Sequence, residues 1–396
     1  MAILHTYPML SRVAELSKHS KLSNVLVLAC QHLLEPQLRM FEFLIGLGLK
    51  PENVIIAGKA YSTNSFVAER FAALGCIVAP FSAQFEPRKR FDDWFSVQLE
   101  VFVREQLVSR NLTSHEKVIV LDDGGFMHDV VHRIVSDVSN VRGVEQTSSG
   151  HHHIEALNVQ FPVTSVARSH HKLQHESPFI GDLGHRLIKH VLAKAGREDP
   201  NILVLGMGPI GRSILKRFFV GESKRRGMVY DWASTDILRS PAGQELDLMP
   251  RSRVMSDADF RGYSLKRFDV IIGATGARSI QESELGRLHP QALLVSMSSS
   301  DREFPAEAFP RTGTHDDVVL DGRTLVNGGF PITFLGEPNC IPPAQIELTM
   351  SLLMCSVLKA ADALTCDITL AISCAMDHWS PHDGAEGWYA DYFATV

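Results

Sequence analysis

The chain of 396 residues contains no run of about 18 uninterrupted apolar residues, so no segment is expected to span a membrane. Its most apolar late stretch, 348–372, is interrupted by Lys359, Asp362 and Asp367 and reads as a buried helix. Positive charge is in short supply: 39 Lys and Arg against 45 Asp and Glu leave a net charge of −6, with no long basic run. Such a surface cannot neutralise a phosphate backbone, which excludes nucleic acid as the expected partner. The opening segment MAILHTYPML has neither a basic leader nor a long apolar core and does not read as a signal peptide. The six cysteines (Cys30, Cys76, Cys340, Cys355, Cys366 and Cys374) form no CxxC pair, so free thiols and a cytoplasmic location are expected. There is neither a repeat nor a low-complexity block. What remains is ordinary globular material, 45% hydrophobic and 21% charged, with a length suited to two or three domains.

Within that material, short β-rich runs alternate with longer helical patterns. Residues 24–29 (NVLVLA), 53–57 (NVIIA), 76–80 (CIVAP), 117–121 (KVIVL) and 161–166 (FPVTSV) read as strands. Segments 35–49, 66–74, 91–108, 127–138 and 152–157 carry helical patterns, the first opened by Pro36 at a first-turn position. That alternation specifies βαβ units and a parallel sheet. A second unit of the same kind begins near residue 200, with strands at 201–205, 228–231, 269–273 and 292–297 and a helix at 212–220. The segment 184–194 reads as a helix joining the two. The expected fold class is therefore α/β, two doubly wound parallel-sheet domains joined by a hinge. Residues 1–180, completed by C-terminal helices in 346–396, form a substrate-binding domain, and 181–345 a Rossmann dinucleotide-binding domain.

The motif that names a ligand class is Gly206-Met-Gly208-Pro209-Ile210-Gly211, which follows a strand and opens a helix. Gly206 permits the tight turn, Gly208 lets the backbone approach a pyrophosphate, and Gly211 lets helix and strand pack closely. The helix N-terminus, at Pro209 and Ile210, offers free amides and partial positive charge to phosphates. Asp231 ends the next strand run, where a carboxylate accepts ribose hydroxyls and repels a 2′-phosphate, favouring NAD over NADP. Thr275 and Gly276, after the strand DVIIG, and Asn327, after Leu325-Val, lie at further strand ends where a dinucleotide passes.

With these motifs in order, the chain resembles the S-adenosyl-L-homocysteine hydrolase family. The resemblance runs from about Asn24 to about Leu348 and is carried by Leu121-Asp-Asp-Gly-Gly125, Arg142-Gly-Val144 with Thr147, the glycine fingerprint, Leu325-Val-Asn327 and Ala344-Gln-Ile-Glu-Leu348. It implies a resident NAD that oxidises a ribose hydroxyl, after which a base removes the adjacent C–H proton and a β-substituent leaves. The protein must then supply a base for the hydroxyl, a base for the carbon acid and a proton donor for the leaving group. Position by position, Lys172 matches the lysine assisting hydroxyl oxidation, Asp123 the acid/base carboxylate, and His32 the histidine after the first strand. Ser62 and Thr63 match the ligand-contacting Ser-Thr.

Departures cluster at the substrate end. The family's sugar-gripping glutamate is Gln146 here, its aspartate is Glu176 and the neighbouring asparagine Ser177. Two family histidines become Ser299 and Phe334, and the adenine-reading threonine and glutamate become Leu34 and Pro36. The subunit-bridging C-terminal Lys/Tyr tail has no match in WYADYFATV. Removing polar groups that read an adenine removes a discrimination of about 1–3 kcal/mol per unpaired group. The reading is thus a relative with altered substrate choice, acting on a nucleoside- or sugar-like small molecule, with a homo-oligomer, in its simplest form a dimer, as the expected assembly. Two other readings stay open: a plain dehydrogenase of a small hydroxy or amino acid, and a non-catalytic NAD- or nucleoside-binding protein.

The 18 histidines include His151-His-His153 and the cluster His170, His171 and His175 around Lys172. On a helix His171 and His175 would share a face, a spacing seen in metal sites. Because the resemblance places this segment at a sugar pocket, no metal is expected.

Overall fold

The computed structural model describes residues 7–17, 19–108, 110, 112–220, 227–230, 252–255 and 265–395. In chain order the first elements are α1 (Pro8–Glu15), β1 (Val25–Leu33), α2 (Glu35–Gly46), β2 (Val54–Thr63), α3 (Ser65–Ala73), β3 (Ile77–Val78), α4 (Phe91–Val108), β4 (Lys117–Asp122), α5 (Phe126–Ile134), β5 (Val141–Glu145), α6 (Ser148–Leu157) and β6 (Val163–Ser165). A π-helical turn at Lys172–Glu176 leads into α7 (Ser177–Lys194), β7 (Ile202–Leu205), α8 (Pro209–Val220), β8 (Gly227–Tyr230), β9 (Ser252–Met255), β10 (Val270–Gly273) and β11 (Leu293–Ser296). The chain then forms β12 (Val318–Leu320), β13 (Arg323–Leu325), α9 (Pro343–Ala360), α10 (Ile368–Met376) and α11 (Ala385–Thr395). Two compact units result: Met1–Gln84, Phe95–Glu176 and Gly336–Val396 form the first, and Phe85–Trp94 with Ser177–Leu335 the second.

The first unit is built on a six-stranded, wholly parallel sheet in the order β3-β2-β1-β4-β5-β6. Every residue of β1 and β2 is buried, as expected for parallel strands covered on both faces. Strand order reverses between β1 and β4, so the crevice outside their carboxyl ends is the topological switch point where ligands of such sheets bind. The register then decides which side chains line it. Cys30 pairs with Asp122 and Asp122 with Glu145, placing His32, Asp123 and Gln146 just beyond the ladder. On β2 the ladder jumps from Gln31↔Gly58 to Leu33↔Thr63, a bulge that turns Lys59 to Ser62 out of regular pairing.

The second unit carries a seven-stranded sheet in the order β12-β13-β11-β10-β7-β8-β9. It is mixed rather than purely parallel, because β12 pairs antiparallel with β13 while the remaining pairs are parallel. Its two-residue loop, Asp321-Gly322, has positive φ at both positions (48° and 82°), the requirement of a tight hairpin turn. Leu203, Leu205, Ile271, Leu294, Phe304 and Leu325 close a fully buried core beneath the sheet.

One helical expectation changes in detail. The 348–372 stretch is two helices, because Asp362 takes φ +54° and Asp367 caps α10 by accepting the Leu370 amide at 2.8 Å. The polar, aromatic tail is the helix α11. Pro8 opens α1, which buries Met9, Leu10 and Val13 and delivers two first-turn amides to the buried Glu347, at 2.8 Å (Met9) and 3.3 Å (Leu10). Among the described residues no helix is long and apolar enough to cross a membrane, and the six cysteines are free thiols.

Candidate functional site

In the first unit the switch-point crevice holds a chain of four side chains. The Ser62 hydroxyl lies 2.5 Å from His32 Nδ1, and His32 Nε2 lies 3.3 Å from Asp123 Oδ2. On the other side of Asp123, the Lys59 ammonium donates to both the carboxylate and the backbone oxygen of Asp123. Lys59 is fully buried, with its ammonium 5.6 Å from the centre of the Phe126 ring. Burial alone would raise the Asp123 carboxyl, but the Lys59 charge, aided by His32, holds it far below the usual carboxylate range. Burial alone would likewise lower Lys59, and the Asp123 charge instead holds it above the usual ammonium range. Asp123 is therefore an acceptor only. It faces His32 Nε2 as a hydrogen-bond acceptor, and a proton held on Nε2 leaves Nδ1 to accept from the Ser62 hydroxyl.

Behind this chain lies a second buried network. Asp122 Oδ2 accepts from the backbone amide and from Nδ1 of His128, both at 2.9 Å. Glu145 receives Gly124 N (3.0 Å), Gly125 N (3.1 Å), and the amide and hydroxyl of Thr147 (both 2.7 Å). Burial and the neighbouring Asp122 charge push Glu145 up to about 8, against the pull of those amides. Among the described residues, Asp122, His128 and Glu145 are the one group whose ligand atoms lie close enough to share a metal ion. The facing atoms already hold hydrogen bonds, so the arrangement is that of a brace for the Gly124-Gly125 turn that follows Asp123.

Other residues marked by the sequence fall around these two networks. Lys172 donates to the Gln146 carbonyl at 2.7 Å and pairs with Glu176 at 3.2 Å across the π-helical turn. Thr147 spends its hydroxyl on Glu145 and on capping α6 through the Gly150 amide at 3.0 Å, so it serves the backbone. The Thr63 hydroxyl and the Gln146 side-chain oxygen are buried without a protein partner. Leu34 and Pro36 are buried at the start of α2. His171 and His175 stack with ring centres 6.5 Å apart, and His175 packs edge-on against Trp379 at 5.2 Å.

In the second unit the fingerprint turn joins β7 to α8. Gly206 has φ +100°, and a Cβ there would lie 2.5 Å from the Ala274 carbonyl oxygen. A Cβ on Gly211 would lie 2.1 Å from the Gly206 oxygen, so both positions accept only glycine. Gly208, by contrast, is exposed with nothing within 4 Å of its would-be Cβ. Pro209 and Ile210 form the first turn of α8. This is a cradle of the shape and donor set that a pyrophosphate needs. Asp231 lies outside the described residues.

At the end of β10 the sequence reading missed Glu303, which is fully buried. It accepts Thr275 N (2.6 Å), Gly276 N (2.7 Å), Thr275 Oγ1 (2.9 Å) and Ser298 Oγ (2.5 Å), and thereby fixes the 274–276 turn. Burial raises its carboxyl while these donors pull it back. Asn327, at φ +52°, uses its amide nitrogen on the carbonyls of Pro331 (2.9 Å) and Phe334 (3.0 Å), bracing the following loop. Ser177 opens α7, while Ser299 and Phe334 are half-buried in the second unit. The residues brought into direct contact are thus His32, Ser62, Asp123 and Lys59 on one hand, and Lys172, Glu176 and Gln146 on the other.

No known protein-family profile matches the chain. Among solved structures it is similar in fold to a dipicolinate synthase chain from Bacillus halodurans, with a TM-score of 0.36 and 12% identity over 64% of this chain and 82% of that one. Formate dehydrogenase from Granulicella m. gives 0.33 and 13% identity over 62% and 64% of the two chains. Likeness at that level assigns no reaction. A much stronger match is an uncharacterized protein of Mycobacterium tuberculosis, 34% identical over 396 residues, with 97% of this chain and 72% of that protein covered. By that match, the chain belongs to the family of the uncharacterized mycobacterial protein known as Rv0104 in strain H37Rv and MT0113 in strain CDC 1551.

Proposed function

We propose that this chain is an enzyme that holds NAD on its second unit and oxidises a secondary hydroxyl of a nucleoside- or sugar-like ligand. A β-substituent is then eliminated or hydrolysed, in adenosylhomocysteinase-like fashion but on a different substrate, and the hydride removed from the ligand would be returned to its carbonyl carbon, so that the cofactor is not consumed. The observation that carries the reading is the turn from Gly206 to Gly211, whose two Cβ-intolerant glycines flank an open one at the start of α8. A bound dinucleotide would supply a hydride acceptor there, with Gly206, Gly208, Pro209, Ile210 and Gly211 at its pyrophosphate and Asp231 at its ribose.

On the first unit, His32 Nδ1 accepts the proton of a ligand hydroxyl, and Asp123 keeps the imidazole oriented for that task. Once protonated, His32 is also the donor for a leaving group, because the Lys59 charge keeps Asp123 from holding a proton. Lys172, positioned by Glu176 and the Gln146 carbonyl, offers an ammonium to a substrate oxygen. Buried Leu34 and Pro36 supply no group to read an adenine edge, which favours a ligand less polar at that end.

The test is mass spectrometry of small molecules released from gently purified protein, followed by absorbance of reduced nicotinamide on a panel of nucleosides and sugars. The expected result is NAD near one per chain and a single-turnover rise with the correct ligand, lost in Lys172→Met. Steady accumulation of NADH would instead favour a dehydrogenase of a small hydroxy or amino acid. Protein that neither retains nor reduces NAD would sink the reading.

A further inference from the structure

A lysine with no exposed surface inside the switch-point crevice needs a reason, since ordering and desolvating an ammonium is expensive unless its charge is used. We propose that Lys59 is a positioning residue whose charge makes His32 an acceptor towards hydroxyl groups: it keeps Asp123 an acceptor only, so that the imidazole proton stays on Nε2 and Nδ1 stays bare towards Ser62 or a ligand hydroxyl in its place.

Lys59 and Asp123 together are neutral, which leaves no net negative charge beside His32 to draw a second proton onto its ring. Among the described residues, the other ionisable groups that act on Lys59 or Cys30 include Asp122, Glu145 and Tyr61, none of which can carry positive charge, while His128 is held behind them between Asp122 and Glu145. Removing the lysine charge leaves the His32–Asp123 pair with a buried net negative charge, and the pair takes up one proton to neutralise it. If the proton settles on the ring, both nitrogens become N–H. If it settles on the carboxyl, Asp123 donates to Nε2 and the ring proton moves to Nδ1. Either way Nδ1 turns from acceptor to donor, and the Ser62 hydroxyl reverses its hydrogen bond. The inference does not depend on whether the second unit carries a dinucleotide.

The experiment is long-range proton–nitrogen correlation on the full chain labelled at histidine nitrogens, with the His32 signals assigned by their loss in His32→Gln. In the unsubstituted protein, Nε2 should carry the proton and Nδ1 should not. Lys59→Gln keeps a hydrogen-bond donor while removing the charge, and at the same near-neutral pH its Nδ1 should become protonated. Ser62→Ala removes the Nδ1 partner but leaves Lys59, and should retain the original pattern. A protonated Nδ1 in the unsubstituted protein overturns the proposal, as does an unchanged ring in folded Lys59→Gln. A reversed pattern in Ser62→Ala also overturns it, because the contact rather than the charge would then set the tautomer.

Discussion

Replacing Arg311 with Met should release the segment 85–94 from the rest of the second unit. The Arg311 guanidinium is fully buried. It donates to Asp301 Oδ2 (2.8 Å) and to the carbonyls of Pro87 (3.2 Å), Lys89 (2.9 Å) and Gly328 (3.3 Å). It also lies 4.8 Å from the Phe85 ring centre and 5.8 Å from that of Phe330. Asp301 in turn accepts the Phe91 amide at 3.1 Å. Breaking a buried ion pair by removing one partner costs about 3–5 kcal/mol, because the remaining charge is left uncompensated. Losing the cation–π contacts adds about 0.5–2 kcal/mol. Four of the lost or weakened contacts, at Phe85, Pro87, Lys89 and Phe91, tie down the same ten-residue segment. Even the low end, about 3 kcal/mol, raises the population of a locally opened state more than about 100-fold.

The assay is amide hydrogen exchange resolved by mass spectrometry, reading peptides across 85–94 against others in the second unit as controls. Exchange should accelerate about 100-fold or more in Arg311→Met and recover largely when Asp301→Asn is added, because the orphaned charge is then gone. The effect also has a pH sign. Burial already raises the Asp301 carboxyl while Arg311 pulls it back down. A raised folded value means a contribution present at low pH and lost as pH rises through that value. Without Arg311 the pull disappears, so the defect should be larger at neutral pH than at a pH below the ordinary carboxyl range, where the carboxyl is protonated. Unchanged protection of 85–94 in a folded Arg311→Met protein would refute the reasoning.

Two further outcomes follow from particular contacts. On the proposed dinucleotide reading, Gly211→Ala should cost at least about tenfold in cofactor retention and lower the melting temperature, because its Cβ meets backbone 2.1 Å away. Gly208→Ala has open space around it and should leave the melting temperature unchanged while weakening ligand retention alone; equal effects at the two glycines on both readouts would count against the cradle. Glu347 is pushed up to about 7 by burial against the amides of Met9 and Leu10. Its contribution is thus full below the ordinary carboxyl range and lost as pH rises through about 7. Glu347→Gln should gain stability relative to the unsubstituted chain between about pH 5 and pH 8, by at most about 3 kcal/mol. A stability difference that stays constant across that interval would rule this out.

What the sequence made legible divides by the kind of signal each element carries. Strands β1, β2, β4, β7, β10 and β11 are buried almost throughout, so each contains a short unbroken apolar run visible without any partner. The hairpin β12–β13 has three residues a side and is half-exposed, too little for a periodic pattern. Its Asp321-Gly322 turn was nevertheless a readable signal for an antiparallel strand. Helix α9 was read through its end because apolar residues continue past it, and only the capping geometry of Asp367 reveals the break. At the site, the convergence of His32, Ser62 and Asp123 was marked only by the resemblance, since they stand 30 to 91 positions apart in sequence and nothing local ties them.

Lys59, His128 and Glu303 escaped that reading for one shared physical reason. Each is a polar residue whose meaning lies in a partner across the fold: Lys59 with Asp123, His128 with Asp122 and Glu145, Glu303 with the amides of Thr275 and Gly276. For Lys59 a signal did exist, because VIIAGKAYST sets a lone lysine inside a run otherwise suited to burial on both faces. A buried ammonium requires a carboxylate of opposite charge within reach. In a sheet whose strand order reverses between β1 and β4, the nearest candidate is the strand-end pair Asp122-Asp123. The strand order that supplies this partner is visible only in the fold, which is why the lysine alone did not point to it.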